Sequence, residues 1–151
     1  MARDPDARHP SAAGSVWAEA SRRAFQAGRR AWPQVQLEPG AFERYFVRHA
    51  REGTPPPRSH AADMYLACAC SVGVDGALVA LDGVLNGPVA RAVASVSSSP
   101  AFVEDTLQAA RERLLIPRGT GAKIADYAGR ASLRTWLSAV AVRLAISRLR
   151  R

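Results

Sequence analysis

The chain has 151 residues, 48% of them hydrophobic, with 21 basic against 13 acidic side chains and a formal net charge of +8. That length supports one modest core and crowds out two independent ones. No run approaches the roughly 18 uninterrupted apolar residues that span a bilayer, and the opening MARDPDARHPSAAG lacks the apolar stretch of a secretory signal, so a soluble, cytoplasmic protein without a membrane partner is expected.

Residues 1 to 14, rich in Ala, Arg, Asp and Pro without periodicity, read as an unstructured leader. Val16 to Arg30 then predicts a short helix with Val16, Trp17, Ala20, Ala24 and Phe25 on one face, ended by Pro33 and the Pro39-Gly40 pair. Ala41 to Arg51 offers a second, with Phe42, Tyr45, Phe46 and His49 clustered. Gly53 to His60 reads as a linker because three consecutive prolines cannot sit inside a helix. Residues 1 to 60 are therefore expected to form a partly flexible helical extension to a domain spanning 61 to 151.

Beyond the linker the pattern becomes nearly continuous helix, which predicts an all-α helical bundle. Ala61 to Val72 places Met64, Tyr65, Cys68 and Val72 at helical spacing. Cys68 and Cys70 stand too close for an ordinary disulfide and lack partners for a zinc site, so they are expected as buried thiols. Ala77 to Ser95 carries Leu78, Leu81, Leu85, Val89 and Val93, with a bend at Gly87 and Pro88. Ser99 caps the next helix and Pro100 fits its first position. Pro117 to Gly121 is a loop, Ile124 to Tyr127 a short turn, Gly129 a break, and Ser132 the cap of the last helix. That helix has two apolar stripes, Leu133, Trp136, Leu137, Val140 and Leu144 on one side and Val142, Ile146 and Leu149 on the other. It is expected to lie in the middle of the bundle with arginines along its rims.

Residues 111 to 151 hold ten bases (Arg111, Arg113, Arg118, Lys123, Arg130, Arg134, Arg143, Arg148, Arg150, Arg151) and two acids (Glu112, Asp126), a difference of +8 that equals the charge of the whole chain. Such a concentrated excess, in a chain of pI about 10.9, is the footprint of nucleic-acid or anionic-surface binding. A solvated basic face with no ligand is the plainer alternative. Enzyme chemistry finds no support: GTGAK at 119 to 123 lacks the spacing of a phosphate-binding loop, and His9, His49 and His60 stand in no metal-ligand pattern.

The segment VEDTLQAARERLL (Val103 to Leu115), followed by a loop and by IADYAGRASLRTWLSAVAVRLAISRLRR, resembles region 2 of the sigma-70 family of bacterial transcription initiation factors, in particular its small extracytoplasmic-function group. Glu104, Asp105 and Gln108 match the family's first helix; Trp136, Leu137, Val140, Ala141, Leu144, Ala145, Ile146, Leu149, Arg150 and Arg151 match its second. The resemblance covers roughly residues 61 to 151.

It implies that Glu104, Asp105, Gln108, Arg111 and Glu112 dock on the clamp helices of the largest subunit of core RNA polymerase. It also implies that Lys123, Tyr127, Arg130, Arg134, Arg143, Arg148, Arg150 and Arg151 engage promoter DNA, with Tyr127 stacking on a base and the cations meeting phosphates. Such binding opens the strands without a cofactor or metal. Val142, Arg143 and Ser147 stand where the family usually has Arg, Asn and Asp, so Arg143 is expected to contact phosphate rather than read a base. The helix-turn-helix that normally follows, region 4, does not appear before Arg151, which leaves a domain cut from a longer factor, a solitary region-2 protein with weak promoter recognition, or a decoy. The alternatives are a solitary decoy that binds polymerase or an anti-sigma factor without reading promoters, and a generic basic nucleic-acid binder.

Overall fold

A computed structural model describes residues 12–51 and 54–151. The fold is all-α: helices α1 (Ala12–Ala31), α2 (Pro39–Arg48), α3 (Ala61–Ser71), α4 (Asp75–Val84), α5 (Ala90–Ala94), α6 (Pro100–Leu115) and α7 (Leu133–Leu149), with no strand among the described residues. Most of the expected leader lies outside the described residues, and Ala12 to Gly14 already belong to α1.

The middle of the bundle is α3, not α7. From Met64 to Cys70 every α3 side chain is buried, and the helix packs against α1, α2, α4 and α7. Its composition explains this: apart from Asp63, AADMYLACAC carries no charge, and its Ala and Cys side chains let neighbours approach on all sides. Val72, expected inside, falls one residue past the helix end and is exposed.

Helices α1 and α2 share one hydrophobic core with the rest. A 3-10 turn, Arg58–His60, leads directly into α3, and there is no gap in the packing between the first two helices and the rest. Phe25, Phe42, Phe46, Tyr65 and Trp17 form a ring cluster with centroids 5.5 to 6.5 Å apart, and the Tyr65 hydroxyl donates to the Val35 carbonyl at 2.8 Å. Val16, expected on the inner face of α1, is 56% exposed. The Pro39-Gly40 pair does not end a helix but begins one, because Pro39 occupies the first turn of α2, where its missing N–H is no loss.

The expected bend at Gly87 and Pro88 is a π-helical turn, Leu85–Val89, between α4 and α5. Pro88 has no N–H to continue the α ladder, and the wider turn accommodates it. Leu81, Leu85, Val89 and Val93 are all fully buried along this run, each contributing about 2 kcal/mol. Asp75–Ala94 as a whole is apolar enough to cross a bilayer, with a mean hydropathy of 1.3. Its polar Asp82 and Asn86, however, are held by Arg111 of α6, and its inner face is core.

Ser99 caps α6, accepting from the Phe102 amide at 3.4 Å, with Pro100 in the first turn. Cys68 and Cys70 are free, buried thiols, and burial pushes both up to about 12. Neither is a thiolate at neutral pH. Both are expected to resist a thiol-specific reagent in the native protein and to react together after unfolding in urea; rapid labelling of the native chain would contradict their placement.

Candidate nucleic-acid interface

Two side chains fix the start of α7. Ser132 accepts from the Thr135 amide at 3.1 Å, and Asp63 of α3 reaches across to accept from the Leu133 amide at 2.9 Å, so two of the orphan donors of the helix start are satisfied. Leu133, Leu137, Val140, Ala141 and Ala145 then pack inward against α3, α5, α6 and the π turn. The second stripe is only partly covered: Ile146 is 40% and Leu149 56% exposed, with Val142 half-buried. Helix α7 is a flank of the bundle, with one apolar stripe in the core and one facing outward.

This placement leaves its arginines accessible. Arg134, Arg143, Arg150 and Arg151 are exposed and form no ion pair with any described residue. Arg143 and Arg150, seven residues apart, share one rim of the helix. On the opposite rim Arg148 approaches Asp105 of α6 at 3.9 Å, with the Asp105 side chain largely in solvent and that of Arg148 partly so. An exposed pair of that length contributes little. Its interest is positional, because it brings the expected polymerase-docking acid and an expected DNA-binding arginine to one edge. Arg130 is exposed on the approach to α7.

The connection between α6 and α7 is tightly built. Arg118 and Gly121 exchange backbone hydrogen bonds at 3.3 and 3.4 Å around a turn in which Gly119 takes φ +62°. A 3-10 turn, Lys123–Asp126, follows, with Ile124 buried and Lys123 3.7 Å from Asp126. Tyr127 is 1% exposed. Its hydroxyl donates to the Ala131 carbonyl at 2.6 Å, and its ring meets Trp136 edge-on at 5.6 Å. The expected base-stacking role is therefore corrected: Tyr127 anchors the loop and has no free face. Gly129 adopts φ +75°, and a Cβ there would stand 2.6 Å from Met64 Sδ. Both requirements select glycine.

What grips this loop is not legible from residue types or spacing. Two side chains of the last turn of α2 and the residue that caps its end do so: the Tyr45 hydroxyl donates to the Tyr127 carbonyl, Arg48 Nη2 donates to the Ala125 carbonyl at 2.6 Å, and His49 Nε2 lies 2.8 Å from the same oxygen. Burial raises the Tyr45 phenol well above its ordinary range and keeps it protonated. Burial likewise holds His49 below its ordinary 6.5, opposed by the Ala125 carbonyl. A base whose folded value lies below its unfolded value binds fewer protons when folded, so its contribution to stability is complete above about pH 6.5 and is lost as pH falls through the folded value. His49→Gln keeps a donor for Ala125 without titrating. The stability difference between the native protein and this variant is expected to shrink in urea titrations from pH 7.5 to pH 5, whereas a constant difference would contradict a neutral, half-buried His49.

On α6, Glu104, Asp105, Gln108 and Glu112 are exposed, with Glu104 and Gln108 one turn apart. Arg111 is the exception among the expected docking residues. Its Nε donates to Asp82 and its Nη2 to Asn86, both at 2.8 Å, so it ties α6 to α4 and the π turn instead of presenting itself to a partner. Among the described residues no group of His, Cys, Asp and Glu could hold a metal ion. No family model, curated protein or solved structure matches the chain.

Proposed function

We propose that the protein is a transcription initiation factor domain of the sigma-70 region-2 kind, acting in the cytoplasm, that binds core RNA polymerase through Glu104, Asp105, Gln108 and Glu112 and engages promoter DNA through Lys123, Arg130 and the arginines of α7. The observation that carries this reading is the exposed set Arg134, Arg143, Arg150 and Arg151, without an ion pair among the described residues, on and just past a helix whose start is fixed by Ser132 and Asp63. Exposed guanidinium groups on a rigid frame suit phosphate contacts that position a strand. The opening of DNA would draw on binding energy alone, with the loop from Pro117 to Ala131 held in place beside the strand by α2.

A second reading has its own support. Tyr127, the one aromatic residue of that loop, is buried, which removes the stacking surface expected for an unpaired base. A decoy that binds polymerase, or an anti-sigma factor, without opening promoters needs no such surface. The test is retention of purified bacterial core polymerase by the tagged protein, compared with Glu104→Arg. Retention that the substitution abolishes supports both readings and leaves promoter opening to separate them, whereas no retention of the unmodified protein contradicts the initiation-factor reading and leaves only a decoy directed at an anti-sigma factor.

A further inference from the structure

Where the end of α2, the end of α6 and the Arg118–Gly121 turn meet, there is a cavity of about 390 Å³. It is lined by four cations from three separate segments, Arg48, Arg113, Arg118 and Lys123, against the single acid Asp126. Lys123 is partly neutralised by Asp126 at 3.7 Å, while Arg113 and Arg118 are exposed and form no ion pair with any described residue. Arg48 of α2 is thus brought beside Arg113, Arg118 and Lys123, which lie within ten residues of one another, and a concave surface lined by one sign of charge concentrates anions.

We propose that this cavity takes a phosphate group, held by Arg48, Arg113 and Arg118, and that α2 thereby belongs to the ligand-binding surface. Guanidinium groups match the geometry of phosphate oxygens, and the remaining walls, Ile116 and small side chains, offer no aromatic face on which a base could stack. The space suits a phosphate with its sugar and favours backbone contact over base reading. This rests on the nucleic-acid reading above, under which the phosphate is a backbone diester. It places a DNA contact at residues outside the set that the sequence suggested, and it gives Arg48 two roles, since the same guanidinium fixes the loop through the Ala125 carbonyl.

The experiment compares the unmodified protein with Arg113→Ala/Arg118→Ala, whose side chains lie outside the core, and with Arg22→Ala on the exposed face of α1 as a control. A fluorescein-labelled single-stranded DNA 15-mer is titrated by anisotropy over a series of NaCl concentrations. Inorganic phosphate is titrated separately against amide spectra, with Thr120 and Lys123 as reporters. The double variant is expected to bind the DNA about tenfold more weakly, with a salt slope shallower by about 0.7 for one released phosphate, while Arg22→Ala changes neither. DNA binding by the unmodified protein that the double variant reproduces in affinity and slope overturns the cavity's role and leaves the nucleic-acid reading standing. If the unmodified protein fails to bind DNA, the nucleic-acid reading fails. In that case phosphate-induced shifts at Thr120 and Lys123 that the double variant loses support a site for a free phosphate compound, and their absence overturns the proposal.

Discussion

Gly28→Ala is expected to destabilise the protein by about 3 kcal/mol, read as a lower midpoint of urea unfolding. In a solvated helix the same substitution stabilises by about 1 kcal/mol, because alanine is the better helix former. Here a Cβ at residue 28 would stand 2.1 Å from Tyr65 Cγ. The ring cannot retreat: it is 1% exposed, flanked by Phe25 and Phe42, and its hydroxyl is tied to Val35. The reversal of sign is what identifies the α1–α3 crossing as a closely packed contact. Gly83→Ala makes the contrast, since nothing lies within 4 Å of its added Cβ, and its midpoint is expected to rise. A stabilising Gly28→Ala would mean that α1 does not sit against α3.

Replacing Arg134, Arg143, Arg150 and Arg151 together by Gln is expected to weaken binding of single-stranded DNA by about a hundredfold at 0.1 M salt and to make the salt slope shallower by about 3, roughly 0.7 for each phosphate released. Unfolding midpoints should barely move, because these side chains are exposed and none joins an ion pair with a described residue. An unchanged slope would assign the DNA contact to other cations. The outward stripe of Val142, Ile146 and Leu149 lies beside the same arginines, so the quartet variant also separates a charge contact from an apolar one: a partner held by the stripe would retain most of its affinity.

Much of this fold is written locally. Ser99 with Pro100, and Ser132 before Leu133, specify two helix starts by chemistry that acts within four residues, and both caps form. Gly129 marks its turn through a backbone angle that side chains avoid. The misread features depend on partners far along the chain. A helix wheel shows that α7 has two apolar stripes but not that only one finds a neighbour, and the uncharged run of α3 was the better guide to the centre. Tyr127 and Arg111 look like ligand-binding residues from their types alone; what decides their roles is Trp136 and the Ala131 carbonyl for one, and Asp82 and Asn86 for the other. Val16 and Val72 lie close to helix ends, where periodicity no longer determines burial.

The candidate site shows the same division. The concentration of charge in residues 111 to 151 is legible at once, as is the exposure of most of its arginines. The grip of Tyr45, Arg48 and His49 on the loop is not, because its acceptors are the carbonyls of Ala125 and Tyr127, which any residue carries. Helices that read as an extension thus set the position of the loop on which the proposed DNA contact depends.

Promoter opening is the activity on which the proposed function stands or falls. Core RNA polymerase, a promoter duplex and this protein are combined, and unpaired thymines are mapped by permanganate reactivity. Reactive thymines are expected on the non-template strand, requiring the protein and disappearing with the Arg134, Arg143, Arg150 and Arg151 quartet variant. A protein that binds polymerase yet leaves every thymine unreactive would contradict that function.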